Sequence, residues 1–319
     1  MLRFAVASAL WLIGAWPVVA QTYPSRSITI IVSFAAGASS DATARAIANE
    51  LGPRLGVNVI VENRGGGGGV IGLQAMSRAQ PDGHTLGIGA AGAVVVIPML
   101  PNPPKFDPAK DIVPVARLVN VPLVMVAHPT VGPTSLSDII AKAKATPAGL
   151  TYGSTGTNSG MHLAVEFLAF KTGAKLVHVP YRGSAPAVND AVAGQVPFVA
   201  VDLTVAAPLV RAGKLRGLAI ITPQRASALP ELPTMSELGY PGFETAPFLG
   251  MFAPAGTPEA VRTKLGSILR DIIAKAEVQK LLRTFALEPA FLDSAGFSKF
   301  LDEDRARWRG MLKSIGKLN

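Results

Sequence analysis

Two stretches of the sequence, each placed between a predicted strand and a predicted helix, are rich in glycine, alanine, serine and threonine. Residues 33–41 read Ser-Phe-Ala-Ala-Gly-Ala-Ser-Ser-Asp, and residues 153–162 read Gly-Ser-Thr-Gly-Thr-Asn-Ser-Gly-Met-His. Small side chains let backbone N–H groups approach a ligand, and hydroxyl groups can donate to it. Because the start of a helix has free N–H groups and a positive dipole end, each stretch predicts an anion site without a charged side chain.

Both stretches also have a structural alternative. Residues 33–41 could be an ordinary strand–helix connection with a capped helix, and His162 could cap the second helix or contact a ligand. Asp202 follows a predicted strand, residues 196–201, and has the same two alternatives. If both stretches bind anions, the two loops could close on opposite ends of a dicarboxylate.

Motifs for catalysis, metals and nucleotides are weak. The chain has no cysteine, no Gly-x-Ser-x-Gly motif, and four scattered histidines without metal-ligand spacing, so we expect no cofactor and no metal. A secreted serine hydrolase remains an alternative only because Ser159 and His162 could approach each other as nucleophile and base. No third group that would orient the histidine is evident. Glycines 67, 69 and 72 match Gly-x-Gly-x-x-Gly, but five consecutive glycines match many spacings, and we expect a flexible loop there.

The first twenty residues predict a cleaved secretory signal peptide. Arg3 is followed by an apolar run over residues 4–16, and Val18 and Ala20 stand at the −3 and −1 positions of a small-residue cleavage site. We therefore expect a soluble, exported protein. The formal net charge is +9, but the basic residues are interleaved with acidic ones, which argues against a nucleic-acid partner.

Strand-like and helix-like patterns alternate along the mature chain. Two α/β units follow one another, joined by a proline-rich segment, residues 98–114, that we expect to be irregular, and the chain ends in a further strand and helices. We predict one lobe from residues 21–122 plus 243–319 and a second from 123–242. Two chain crossings would form a hinge, and the cleft between the lobes would hold a small molecule.

At this point the sequence resembles a known family, the substrate-binding receptors of tripartite tricarboxylate transporters, also called Bug proteins. The matching segments run in the family's order over essentially the whole mature chain. They are Tyr23-Pro24, residues 31–37, Asp41, Ala44-Arg45, residues 61–64, residues 81–86, residues 152–154, Gly156, His162-Leu163, residues 178–183, Leu229-Pro230, Pro233-Thr234 and residues 253–258. The resemblance implies an α/β, two-lobed, periplasmic-binding-protein-like (type II) fold with a hinge and an interlobe cleft.

The resemblance also implies a function and a site. It implies a non-enzymatic periplasmic receptor, expected to be a monomer, that closes on a mono- or dicarboxylate and delivers it to membrane permease subunits; a receptor that feeds a signalling partner is the alternative. The implied ligand-binding residues are Phe34, Ala36, Gly37, Ala38, Ser39, Ser40, Asp41, Ser154, Thr155, Asn158, Ser159 and His162, and more loosely Tyr181, Ser184 and Asp202. The family usually has glycine where Ala38 stands, so we expect its methyl group to alter the pocket.

Overall fold

The computed structural model describes residues 23–243 and 247–318. The predicted signal peptide, residues 1–20, lies outside the described residues. Within those two ranges, no helix combines the length and the apolar character that crossing a bilayer requires.

The chain first builds most of a six-stranded sheet. Its elements are β1 (Ile28–Val32), α1 (Ser39–Leu55), β2 (Val59–Asn63), α2 (Val70–Ser77), β3 (Thr85–Ala90), α3 (Pro108–Asp111) and β4 (Ile112–Asn120). β1 is a continuous run of β-branched residues and pairs in parallel with β2 and β3. Such a run suits a strand covered on both faces, and Ile47 and Leu51 of α1 are fully buried with it in one core.

A second, five-stranded sheet follows. Its elements are β5 (Leu123–Ala127), α4 (Leu136–Ala145), β6 (Leu150–Ser154), α5 (Gly160–Thr172), β7 (Leu176–Pro180), α6 (Ser184–Val192), β8 (Phe198–Asp202), α7 (Leu203–Arg211) and β9 (Arg216–Ile220). The strand order is β7–β6–β8–β5–β9. Since β6 and β8 are parallel neighbours, the residues after them, 155–162 and 203 onward, leave the same edge of the sheet.

The chain then returns to complete the first sheet. The last elements are β10 (Phe248–Pro254), α8 (Glu259–Ala274), α9 (Ala276–Thr284), β11 (Glu288–Asp293) and α10 (Ser294–Ser314). The final order is β11–β4–β10–β3–β1–β2, with β10 and β11 antiparallel to their neighbours. We call the unit built on this sheet lobe 1 and the unit built on the five-stranded sheet lobe 2. The predicted two-lobed α/β fold is confirmed.

Two strands of lobe 1 differ from the sequence prediction. The proline-rich segment is not irregular to its end, because β4 begins at Ile112 and includes Pro114; the ladder with β10 shifts register beside that proline, where a missing N–H is tolerated. β11 was not predicted either. It pairs with β4 at four positions around a register shift, and its short run with Pro289 has no clear alternation.

The chain crosses between the lobes twice. The first crossing is the short link Val121–Pro122 between β4 and β5, and the second is the longer segment between β9 and β10. The backbone N–H of Val121 donates to the carbonyl of Pro247 at 2.8 Å, so the two crossings lie side by side.

Candidate functional site

Four helices begin at one buried cavity between the lobes. Its volume is about 60 Å³, measured as the space open to the centre of a water molecule, which is several times what one water needs. The helix starts are those of α1 in lobe 1 and of α5, α6 and α7 in lobe 2. The lining residues are Phe34, Ala38, Ser39, Gly68, Ala90, Ala91, Gly92, Val121, Leu123, Thr155, Ser159, Gly160, Met161, Ser184, Asp202, Pro247, Phe248, Leu249 and Trp308.

The start of α1 is uncapped by its own residues. Ala38 is the N-cap residue, has extended backbone and offers no side-chain acceptor to the helix. Asp41 instead accepts the N–H of Gly37 at 3.0 Å and pairs with Arg45, so its carboxylate shapes the loop. Burial works to raise the pKa of Asp41, but the hydrogen bonds from Arg45 and Gly37 outweigh it and lower that pKa.

The start of α1 meets lobe 2 through a buried hydrogen bond. The Ser39 hydroxyl donates to Oδ2 of Asp202 at 2.6 Å, across 163 residues of chain. The N–H of Asp202 donates to the hydroxyl of Ser184, at the start of α6, at 3.2 Å. Burial raises the pKa of Asp202, and hydrogen bonds from Ser39 and Ser184 oppose the rise. The cleft therefore contains a buried acidic side chain whose hydrogen-bond partners are serines of both lobes.

The start of α5 is capped by its own serine. The Ser159 hydroxyl accepts the N–H of His162 at 3.3 Å, and Thr155 donates to the sulfur of Met161 at 3.3 Å. These contacts lie within lobe 2. Ser159 and Thr155 thus present cavity-lining hydroxyl groups whose positions the lobe fixes before any ligand is bound.

Two stacked histidines lie behind this loop. Ser154 is hydrogen bonded to Nε2 of His178 at 2.6 Å, and the ring centroids of His162 and His178 are 3.9 Å apart. The N–H of Asn158 donates to Nδ1 of His162 at 3.0 Å. Burial, reinforced by Lys317, lowers the pKa of His162 to about 4. Burial and the neighbouring His162 lower the pKa of His178 to about 4 against an opposing effect of Glu166.

A second cavity, of about 220 Å³ by the same measure, lies at the mouth of the cleft. Gly66–Gly69 of lobe 1 face Thr155–Thr157 and Pro180–Arg182 of lobe 2, and Phe34, Gly68 and Thr155 line both cavities. A Cβ built on Gly68 would stand 3.2 Å from the Thr157 carbonyl oxygen. The lobes are therefore closed, with backbone against backbone at the glycine run.

The predicted site residues separate into three groups. Phe34, Ala38, Ser39, Thr155, Ser159, Ser184 and Asp202 line the buried cavity, and Tyr181 lines the outer one. The remaining predictions line neither cavity: they are Ala36, Gly37, Ser40, Asp41, Ser154, Asn158 and His162. Of these, Asp41, Ser154, Asn158 and His162 make hydrogen bonds within their own loops.

Sequence reasoning missed several lining residues. Gly68 belongs to the run expected to be a flexible loop, yet it is buried against lobe 2. Trp308 lies on the buried face of α10, and it also lines the cavity. Phe248 and Leu249 come from the returning strand β10. A sequence signal existed only for Gly68, as part of the glycine run.

The geometry does not support the hydrolase alternative. The Ser159 hydroxyl accepts from the backbone of His162, while Nδ1 of that ring accepts from Asn158. The other ring nitrogen of His162, Nε2, lies 3.8 Å from Oε1 of Glu166. In the part of the chain that the structure describes, no three His, Asp or Glu side chains are grouped to hold a metal ion.

Comparison with known proteins agrees with this architecture. The family described as "Tripartite tricarboxylate transporter family receptor" matches residues 43–317. Protein BugT of Bordetella pertussis is 34% identical over 304 residues, covering 95% of this chain and 93% of BugT. A Rhodopseudomonas palustris protein solved with adipate has 32% identity and a TM-score of 0.87, covering 92% and 98% of the two chains. MatC from the same organism, with bound malate, has 29% identity and a TM-score of 0.84, covering 91% and 100%.

Proposed function

Because the chain belongs to the receptor family of the tripartite tricarboxylate transporters, we propose that it is a periplasmic receptor for a small organic carboxylate. It would close on the acid in the interlobe cavity and deliver it to the membrane permease. Residues 1–20 would direct export and be removed. We expect the mature receptor to be a monomer without catalytic activity.

One observation carries the proposal: the starts of α1, α5, α6 and α7 converge on one closed cavity. Each start places N–H groups and a positive dipole end near the ligand. None of the residues that line this cavity is lysine or arginine, so the anion would be held by backbone and hydroxyl groups. The adipate and malate found with two structural relatives support a carboxylate as ligand.

The two lobes supply the means of capture. We propose residues 21–122 with 243–319, and residues 123–242, as the two rigid bodies, with the paired crossings at Val121 and Pro247 as the hinge. A ligand that contacts both lobes binds the closed form better and shifts the population toward it. The Ser39–Asp202 bond and the Gly68–Thr157 approach exist only when the lobes are closed.

A thermal-shift screen tests the proposal. The mature chain is unfolded and refolded to remove carried-over ligand, then heated with organic acids, amino acids and sugars. A ligand at 100 times its dissociation constant adds about 2.7 kcal/mol of stability. We expect selective shifts with carboxylates. Shifts with neutral solutes alone would contradict the anion site.

Tryptophan fluorescence gives an independent reading of the same titration. The chain has three tryptophans, Trp11, Trp16 and Trp308, and the first two belong to the predicted leader. Trp308 lines the cavity from α10 and lies near Gly160 of lobe 2, where an added Cβ would be 4.0 Å from its ring. A ligand in the cavity should change the emission of this tryptophan, whereas a ligand bound elsewhere should not.

A further inference from the structure

We propose that Asp202 selects ligands that carry a hydrogen-bond donor, a hydroxyl or an ammonium group, in addition to the carboxylate. The inference rests on the proposed carboxylate-receptor function and narrows its substrate class. It assigns opposite roles to two parts of one cavity: helix starts that accept an anion, and a buried acidic side chain that accepts a donor.

Asp202 is buried in the wall of the cavity. It ends β8, is 6% exposed, and lines the cavity together with the start of α1. Its strongest partner is the Ser39 hydroxyl at 2.6 Å, which reaches it from the other lobe. Asp202 is also the residue before α7, but its side chain does not cap that helix. The carboxylate is therefore not engaged in hydrogen bonds to the start of α7.

The carboxylate of Asp202 can accept a further hydrogen bond. A carboxylate has about four acceptor positions, and a buried charge is costly unless partners fill them. The hydroxyl and backbone of Ser39 and the hydroxyl of Ser184 supply hydrogen bonds, which leaves room for about one more donor. Much of the rest of the cavity wall near the hinge and β10 is apolar: Val121, Leu123, Phe248 and Leu249. Burial raises the pKa of Asp202 against these hydrogen bonds. A donor on the ligand would supply what the wall does not.

A bound acid brings a second carboxylate into the cavity. A ligand carboxylate in a cavity of about 60 Å³ lies within a few ångströms of Asp202, and two neighbouring carboxylates repel each other. None of the residues that line this same cavity is a lysine or an arginine that would neutralise the pair. A hydroxyl on the ligand places a donor between the two acidic groups, and an ammonium group also cancels one charge. An acid without either leaves the repulsion in full.

Matched pairs of acids test the proposal on the unmodified mature chain. The probes are propanoate against lactate and alanine, butanoate against 3-hydroxybutanoate, and succinate against malate and aspartate, titrated by calorimetry with Trp308 emission as the second signal. We expect at least one series in which the donor-bearing acid binds at least tenfold more tightly than its parent. Equal affinities for parent and donor-bearing acids in every series that binds would overturn the proposal.

A variant assigns the preference to Asp202. Asp202→Asn keeps the shape of the side chain and an acceptor for Ser39 but removes the charge, so we expect the preference to fall below about threefold, mainly because the parent acid binds better. Asp271→Asn makes the same change on the exposed face of α8 and should keep the full preference. A preference that survives Asp202→Asn would overturn the assignment.

The proposed function and the role of Asp202 are contradicted by different results. If no carboxylate binds and neutral solutes do, the proposed function is wrong. If carboxylates bind without regard to a donor, the receptor function stands and the role of Asp202 is wrong. The wild-type ratio decides the second case even if Asp202→Asn does not fold.

Discussion

The two loops that face the cavity use their polar groups in opposite ways. In lobe 1, the cap position of α1 is Ala38, and the acidic group of the loop, Asp41, turns back to the N–H of Gly37. In lobe 2, Ser159 caps its own helix. Ser154 is held by His178, and the N–H of Asn158 is held by His162.

This difference indicates a division of labour. Lobe 1 leaves a helix start without an acceptor of its own, and in the closed form Asp202 of lobe 2 is the acidic group that reaches it. Lobe 2 offers a surface whose groups are positioned by internal hydrogen bonds. Changes at the lobe contact should therefore act mainly on ligand affinity, and changes behind the lobe 2 loop should act mainly on stability.

The largest effect should come from blocking the contact between lobes at Gly68. Gly67 and Gly68 both have left-handed backbone, with φ of 58° and 64°, so alanine costs about the same strain at each. At Gly68 the new Cβ meets the Thr157 carbonyl of lobe 2 at 3.2 Å, and it also meets Cδ1 of Ile97, the end of a lobe 1 side chain, at 2.8 Å. At Gly67 its nearest contacts are side chains of lobe 1 at 3.6 Å or more. Overpacking costs about 1–3 kcal/mol, so we expect Gly68→Ala to lower affinity about 10- to 100-fold.

Calorimetry and thermal melting of both glycine variants test this expectation. Both melting temperatures should fall, and that of Gly68→Ala should fall further because its methyl group also meets Ile97 within lobe 1. Affinity should fall only in Gly68→Ala. Equal affinities in the two variants would mean that the glycine run does not meet lobe 2 in the bound form.

A smaller effect should follow from removing the hydroxyl that joins the lobes. Ser39→Ala takes away one hydrogen bond of a buried carboxylate and leaves those from the Ser39 backbone and Ser184. The lower end of the range for hydrogen bonds to charged groups, about 1.5 kcal/mol, therefore applies. We expect roughly a tenfold loss of affinity. The adjacent Ser40 is equally buried, but its hydroxyl has no partner within the described residues. Ser40→Ala should change affinity less than threefold, and a larger loss than in Ser39→Ala would reverse the assignment of these two serines.

Ser39 and Ser40 show which features of this site can be predicted from the sequence. The apolar run of β1 and the small residues after it predicted the loop and the helix start correctly. Periodicity cannot distinguish Ser39 from Ser40, because which hydroxyl faces Asp202 depends on how the lobes close. For the same reason the sequence did not indicate that Trp308, Phe248 and Leu249, from the returning chain, line the cavity. Each is an ordinary core residue in its own element.

For residues behind the lobe 2 loop, we expect a larger effect on stability than on ligand affinity. Ser154→Ala removes the 2.6 Å hydrogen bond to His178 without removing a cavity-lining group. A hydrogen bond of this kind contributes about 1 kcal/mol, so we expect a lower melting temperature and at most a few-fold loss of affinity. Denaturant unfolding beside a ligand titration separates the two quantities. An affinity loss larger than in Ser39→Ala would indicate that Ser154 contacts the ligand.

The smallest effect on affinity should come from the histidine pair behind the loop, which acts instead on the pH dependence of stability. His162 and His178 have pKa values of about 4 in the folded protein, below the ordinary value near 6.5 that applies to the unfolded chain. Above pH 6.5 they are neutral in both states. As the pH falls from 6.5 toward 4, the unfolded chain binds protons first, so the free energy of unfolding decreases. The buried Asp304, whose pKa burial raises to about 6, acts in the opposite direction over part of this range.

A substitution at His178 isolates the contribution of the histidine pair. His178→Gln removes one titrating group, can still hydrogen bond to Ser154, and leaves Asp304 unchanged, so the difference from the wild-type chain cancels the aspartate. We expect melting temperature to fall less between pH 7 and pH 4.5 in the variant. Parallel curves would mean that the pair is already protonated or solvated in the folded protein.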